Sequence, residues 1–174
     1  VAKMPAGSNP NKRLIRTGFE DEQVEIDTYQ PQHWPENQDV VGDGFPLNPT
    51  MRQWFDQTPN QEREPLEVEH WWGRPFIQTY TWESWDQHYR TTQAHHREEQ
   101  NQFVKSDAEL EAMITEEKAK WFSAWPSGTR YDVRCLDGGA WDRSTNWGCS
   151  GSLEGAIDVC RNGPAWRQRT PAAT

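Results

Sequence analysis

Five side chains within one stretch, His88, His95, His96, Glu98 and Glu99, form the densest concentration of chemistry-bearing groups in the chain. Imidazole nitrogens and carboxylate oxygens suit a transition-metal ion when a helix turns them to one side. His95 and Glu99 are four residues apart and would share a helix face, with His88 two turns above His95. His88, His95 and Glu99 are therefore the metal-ligating candidates. Against them, no HExxH is present, and no ExxH is answered by carboxylates on a second helix. A solvated polar face explains the same residues, and no motif calls for a cofactor.

His96 and Glu99 admit a second chemistry. Trp82, Trp85, Tyr89, Thr92, His96, Glu99 and Phe103 recur at spacings of three and four, which makes one helical stripe with a polar middle. Packed inward along its length, the stripe would bury His96 as a general base oriented by Glu99. A helix projecting past the sheet would leave both wet, and the polar middle favours that arrangement.

Trp71 and Trp72, with His70 and Arg74, form an aromatic and cationic cluster. On a strand, adjacent indoles point to opposite faces, so one enters the core. The other is available to stack on a sugar or base, hold a cation or meet a protein. Trp71, Trp72, Arg74, Trp82, Trp85 and Tyr89 are the ligand- or partner-binding candidates. Cys149 precedes an expected helix N-terminus, a location that can activate a thiol. No histidine lies in residues 97–174, so a base would have to come from His70, His88, His95 or His96. Gly148, Gly151 and Ser152 match no phosphate-loop pattern.

The elements that must position these groups are legible unevenly. Residues 1–65 hold eight of the twelve prolines and sustain no helical period. They read as an extended acidic arm, with one short strand at Val24 and Ile26 and a short helix over Thr50–Gln57. Leu66, Val68, His70 and Trp72 alternate with Glu67, Glu69 and Trp71, the period of a half-buried strand. Gly73-Arg74-Pro75 supplies a turn and Phe76–Trp82 alternates again, completing a β-hairpin.

A helix follows over 83–104. Ser106 and Glu109 then form a capping box before Leu110, Met113, Ile114, Trp121, Phe122 and Trp125 at helical spacing, ended by Pro126-Ser127-Gly128. Tyr131, Val133 and Cys135 alternate with Arg130, Asp132 and Arg134, a strand with one wet face. Asp137-Gly138-Gly139 turns the chain into a second strand over 141–147. Ser152 caps a short helix bearing Leu153, Ala156, Ile157 and Cys160.

The expected fold is α+β: an antiparallel sheet from two β-hairpins, about three helices packed on one face, and a long extended N-terminal arm. The divisions are an arm over 1–65, a domain over 66–163 and a basic tail over 164–174, which Trp166 could pin down. Both hairpins leave Arg, Glu or Trp on their second face, and the arm is the candidate cover.

Composition supports a core made largely of tryptophan. Leu, Ile, Val and Phe make up 25 of 174 residues, below the roughly 20 % at which highly charged chains are expected to stay unfolded. Eleven tryptophans compensate, each able to bury about 150–250 Å². Of the net charge of −9, residues 17–70 supply thirteen acids against two bases, while 71–174 are near neutral. Nucleic-acid binding through phosphates is disfavoured, although an acidic face can mimic a nucleic acid. Three cysteines without CxxC spacing suit a reducing, cytoplasmic setting, and Val1–Arg16 has no apolar run resembling a secretory signal. No apolar stretch is long enough to span a membrane.

Three functions fit this reading. The leading one is a non-catalytic binding or assembly module acting on a protein partner or on itself through exposed aromatics and the arm. The alternative is a small hydrolase or small-molecule-binding enzyme using His96 and Glu99 or a metal. The third is an acidic inhibitor that mimics a nucleic acid.

Overall fold

The computed structural model describes residues 12–16, 23–27, 33–49, 56–138, 141 and 143–167. Two strands, β1 (Lys12–Arg16) and β2 (Gln23–Asp27), form an antiparallel ladder with Lys12 opposite Asp27. The helix expected over Thr50–Gln57 falls almost entirely outside the described residues.

The main sheet has five strands in the order β3-β4-β5-β6-β7: β3 (Asp39–Val41), β4 (Phe45–Leu47), β5 (Pro75–Thr81), β6 (Thr129–Cys135) and β7 (Thr145–Ser150). It is mixed, because β4 runs parallel to β5 while every other pair is antiparallel. The parallel contact is short. Leu47 sits opposite Ile77, the Asn48 N–H donates to the Ile77 carbonyl at 2.7 Å, and the Asn48 side-chain oxygen accepts from the Thr79 N–H at 2.6 Å. Asn48 adopts φ +49°, a left-handed conformation that asparagine tolerates better than most residues. Part of the stretch expected to be an arm is thus sheet.

The first expected hairpin does not form. Residues 65–71 are a helix, α1 (Pro65–Trp71), with proline in its first turn, where a missing N–H costs nothing. Its buried residues are Glu67 and Trp71, four apart. The apparent alternation misled because one of the inward positions is a carboxylate. Glu67 is buried since Arg63 meets it: Arg63 Nη1 lies 3.3 Å from Glu67 Oε1, and Nη2 lies 2.8 Å from Asp56 Oδ1. Arg63 Nε donates to the Thr58 carbonyl at 3.0 Å, and the guanidinium stacks 4.0 Å from the Trp141 ring centroid. Trp141 Nε1 donates to Asn60 Oδ1 at 2.7 Å. Trp141 therefore belongs to a core with Trp71, Phe76 and Leu136, not to the second hairpin strand as expected. That strand begins at Thr145 and runs through Gly148, which sits beside a β-bulge at φ +151°.

Helices lie on both sides of the sheet, a second departure from expectation. Ile77 and Val133 are register partners and pack against α4 (Leu153–Asn162) through Ala156 and Cys160. Phe76 points the opposite way and meets Trp71 of α1 edge-on, with ring centroids 6.0 Å apart. Between β5 and β6 the chain makes a helical excursion, α2 (Trp82–Glu99) and α3 (Asp107–Ala124). Each starts with a reciprocal capping box, Thr81 with Ser84 and the expected Ser106 with Glu109. Burial of these helices is confined to one seam: Trp82 and Gln93 on α2, Leu110 and Ile114 on α3. None of the described helices is long and apolar enough to cross a membrane.

Beyond α4, Pro164 is buried while Trp166 is 56 % exposed, so Trp166 is not the anchor. Arg167 is: its Nη2 lies 2.7 Å from Asp137 Oδ2, and its guanidinium lies 5.2 Å from the Trp147 ring centroid. Burial alone would raise the Asp137 carboxyl, yet hydrogen bonds from Thr145, Trp147 and Arg167 outweigh it and hold the group below the usual aspartate range.

Removing one partner from a buried ion network leaves uncompensated charge, which costs about 3–5 kcal/mol. Arg63→Met is expected to lose stability of that order in urea unfolding of the full chain. A loss under about 1 kcal/mol would show that the network is not what holds α1.

Candidate functional site

The sequence-derived histidine and carboxylate candidates sit far along α2, about 20 Å from Trp82 for His96 at 1.5 Å per residue. His95 Nε2 lies 3.1 Å from Glu99 Oε1, a pair with both side chains more than half exposed. His88 is not brought to them; it packs edge-on against Trp85 with ring centroids 5.7 Å apart. No group of three or more His, Cys, Asp or Glu able to hold a metal ion occurs among the described residues.

His96 is half-buried against Phe103, and its Nδ1 lies 2.9 Å from Asn101 Nδ2. The same amide donates to Glu99 Oε2 at 3.1 Å. An asparagine thus stands between the expected base and its expected orienting acid. The buried polar residue of α2 is Gln93, one position off the expected stripe, whose amide ties the helix to the following loop by donating to the Phe103 carbonyl at 3.3 Å and accepting from the Lys105 N–H at 2.5 Å.

Among the aromatic candidates, Trp71 is fully buried in the α1 core. Trp72 is half-buried and stacks on Trp141 at 6.2 Å, and Arg74 is exposed. Trp82, Trp85 and Tyr89 do come together along the α2–α3 seam with Leu110, Ile114 and Trp121, Trp82 and Trp121 standing at its root. The Tyr89 hydroxyl is raised above its ordinary range, first by burial and then by the Glu117 carboxylate, with Lys120 opposing.

This root opens onto the sheet face that α4 does not cover. Alternation on β5 and β6 puts Gln78, Tyr80, Arg130 and Asp132 on that face, and Cys149 lies opposite Asp132 in the ladder. Arg130 is its centre. The guanidinium lies 5.0 Å from the Tyr80 ring centroid, 5.5 Å from Trp121 and 6.0 Å from Trp125. It grips Asp132 with two parallel bonds, Nε to Oδ1 at 2.7 Å and Nη2 to Oδ2 at 2.9 Å. The side chains are 25 % and 16 % exposed, so the pair is shielded yet still reached by solvent.

The turn between α3 and β6 fixes the rings. The Gly128 carbonyl accepts from Trp121 Nε1 at 2.9 Å and from the Trp82 N–H at 3.3 Å. Gly128 holds φ +81°, and an added Cβ would come within 3.0 Å of Phe122. Arg130 and Asp132 were placed in sequence on a wet strand face but not singled out. Their signal was an Arg-x-Asp pair two residues apart, following tryptophans four apart on a helix end.

Cys149 is an exposed thiol on this face, whereas Cys135 and Cys160 are buried and desolvation pushes both up to about 12. The thiolate is the reactive form. In the native chain, one thiol equivalent is expected to react rapidly with a disulfide reagent such as DTNB, rising to three in guanidinium. Three rapid equivalents without denaturant would show that the buried pair is not buried.

The chain matches no protein-family model, no curated protein and no solved structure.

Proposed function

We propose that this chain is a non-catalytic binding module whose contact surface is the sheet face around Arg130. The supporting observation is the grouping of Arg130 with Tyr80, Trp121 and Trp125 beside a bidentate Asp132. Arginine, tyrosine and tryptophan are the residues that dominate binding energy at protein interfaces, where rigid rings contribute area at little entropic cost. Because Asp132 neutralises Arg130, the face has no strong preference for an anion. It offers paired donors and acceptors framed by apolar rings, which suits a protein surface. Three free cysteines, two of them deep in the core, fit a reducing compartment.

The enzyme alternative draws no comparable support. His96 and Glu99 meet through the Asn101 amide, near the far end of a helix pair. A general base needs the proton it abstracts within hydrogen-bond reach, and here Nδ1 of His96 is taken by the Asn101 amide.

Cys149 provides a native attachment point for testing the binding reading. A photo-crosslinker placed there in the full chain is expected to capture a defined protein from source-cell extract. The same label at Asp158→Cys on exposed α4, in a Cys149→Ser background, should not. Trp125→Ala should lower the Cys149 yield about tenfold or more, the range of a hot-spot truncation. Equal capture from both positions, or a yield indifferent to Trp125, would remove the face from the account. Self-capture would identify a second copy as the partner.

A further inference from the structure

The rings beside Arg130 form a row with free donors and engaged acceptors. Tyr80, Trp85, Trp121 and Trp125 follow one another with ring centroids 6.2, 6.1 and 6.5 Å apart, and all four are half-buried. Trp121 Nε1 is spent on the Gly128 carbonyl, and Trp85 Nε1 is buried. Trp125 Nε1 and Arg130 Nη1 are neither bonded to a described group nor sealed from solvent. The neighbouring acceptors are in use: the two Asp132 oxygens take Arg130 Nε and Nη2, and Gln78 Oε1 takes the Tyr80 hydroxyl at 3.1 Å. β6 runs between β5 and β7, so its backbone groups are spent in those ladders and no further strand can be added beside it.

From this donor and acceptor count, and resting on the assignment of this face as the contact surface, we infer that its partner is a proline-rich polypeptide segment. A proline brings a carbonyl acceptor and no backbone N–H. An ordinary peptide brings one N–H per residue, and covering that donor where every acceptor is engaged costs its full desolvation. Proline carbonyls meet Trp125 Nε1 and Arg130 Nη1, while the prolyl rings lie on the indole and phenol faces. A polyproline II segment has no internal hydrogen bonds to break, and its prolines fix its shape before binding, so little conformational freedom is lost on docking to an aromatic surface. The Arg130–Asp132 pair is internally neutral, which suits an uncharged ligand. The segment belongs to another protein, because the two most closely spaced prolines of this chain, Pro46 and Pro49, are both buried.

Decaproline titrated into the full, isotopically labelled chain tests this, against an alternating Gly–Ser decapeptide that carries N–H groups and no rings. With decaproline the Trp125 indole N–H resonance is expected to shift saturably, while resonances of Ala156 and Cys160 beneath α4 stay in place. The Gly–Ser peptide should bind at least about fivefold more weakly, the cost of stranding one donor. Trp125→Phe keeps a ring and removes the indole N–H, and should weaken decaproline about two- to tenfold by tryptophan fluorescence, the range for one net hydrogen bond. Decaproline should also block capture through Cys149. An absent or unsaturable shift, equal affinity for the two peptides, or a Trp125→Phe chain that binds as tightly as wild type overturns the inference. If Trp125-dependent capture at Cys149 persists in that case, the face remains the contact surface and only the proline assignment falls; loss of both removes the face itself.

Discussion

The stack of Arg63 on Trp141, inside a shell made by Asp56, Thr58 and Glu67, is the interaction on which the architecture turns. A guanidinium is planar and weakly hydrated, so it can lie flat on an indole while its edges serve carboxylates and a carbonyl. This arrangement allows a charged residue to take a core position in a chain poor in aliphatic side chains. It joins residues 56–67 to Trp141, more than seventy positions away. It also fixes α1, and through Trp71 and Phe76 it closes one side of the sheet. Such networks add little net stability over a well-packed apolar core, but losing one partner leaves a buried charge uncompensated.

With Trp71 and Phe76 on one side and α4 on the other, the end of the sheet around Tyr80 and Arg130 lies, among the described residues, beside the excursion made by residues 82–128. The capping boxes at Thr81 and Ser106 let both helices start without help from the domain. Only their root is anchored, by Trp82, Trp85 and Trp121 against the Gly128 turn. That places indole faces beside β6, where Arg130 emerges from the ladder. The grouping of rings around Arg130 is thus a by-product of how a helical hairpin is inserted between two paired strands.

Local signals were readable wherever a segment's partners lie nearby in sequence. The Ser106–Glu109 box, the helical spacing of apolar residues in α3, the amphipathic run of α4 and the alternation of Tyr131–Cys135 all express preferences within a few residues. The helix over 82–99 was legible for the same reason. Pro65–Trp71 was not, since its buried face contains a carboxylate whose counter-charge stands four residues upstream and whose cover is Trp141. Period-based reading assumes that inward positions are apolar. The candidate site was half legible: the tryptophans were evident, but Arg130 and Asp132 beside them were assigned to solvent.

From its residues alone, this chain determines a tryptophan-based α+β body with strong helix starts, an acidic N-terminal half and unpaired thiols. These follow from composition and from contacts spanning a turn or two. Tertiary structure decided the rest: the mixed sheet, the use of residues 39–47 as strands, the placement of helices on both faces, and the meeting of Arg130 with three rings. Each depends on pairing between segments distant in sequence, where a side chain's environment comes from its partner and not from its own spacing.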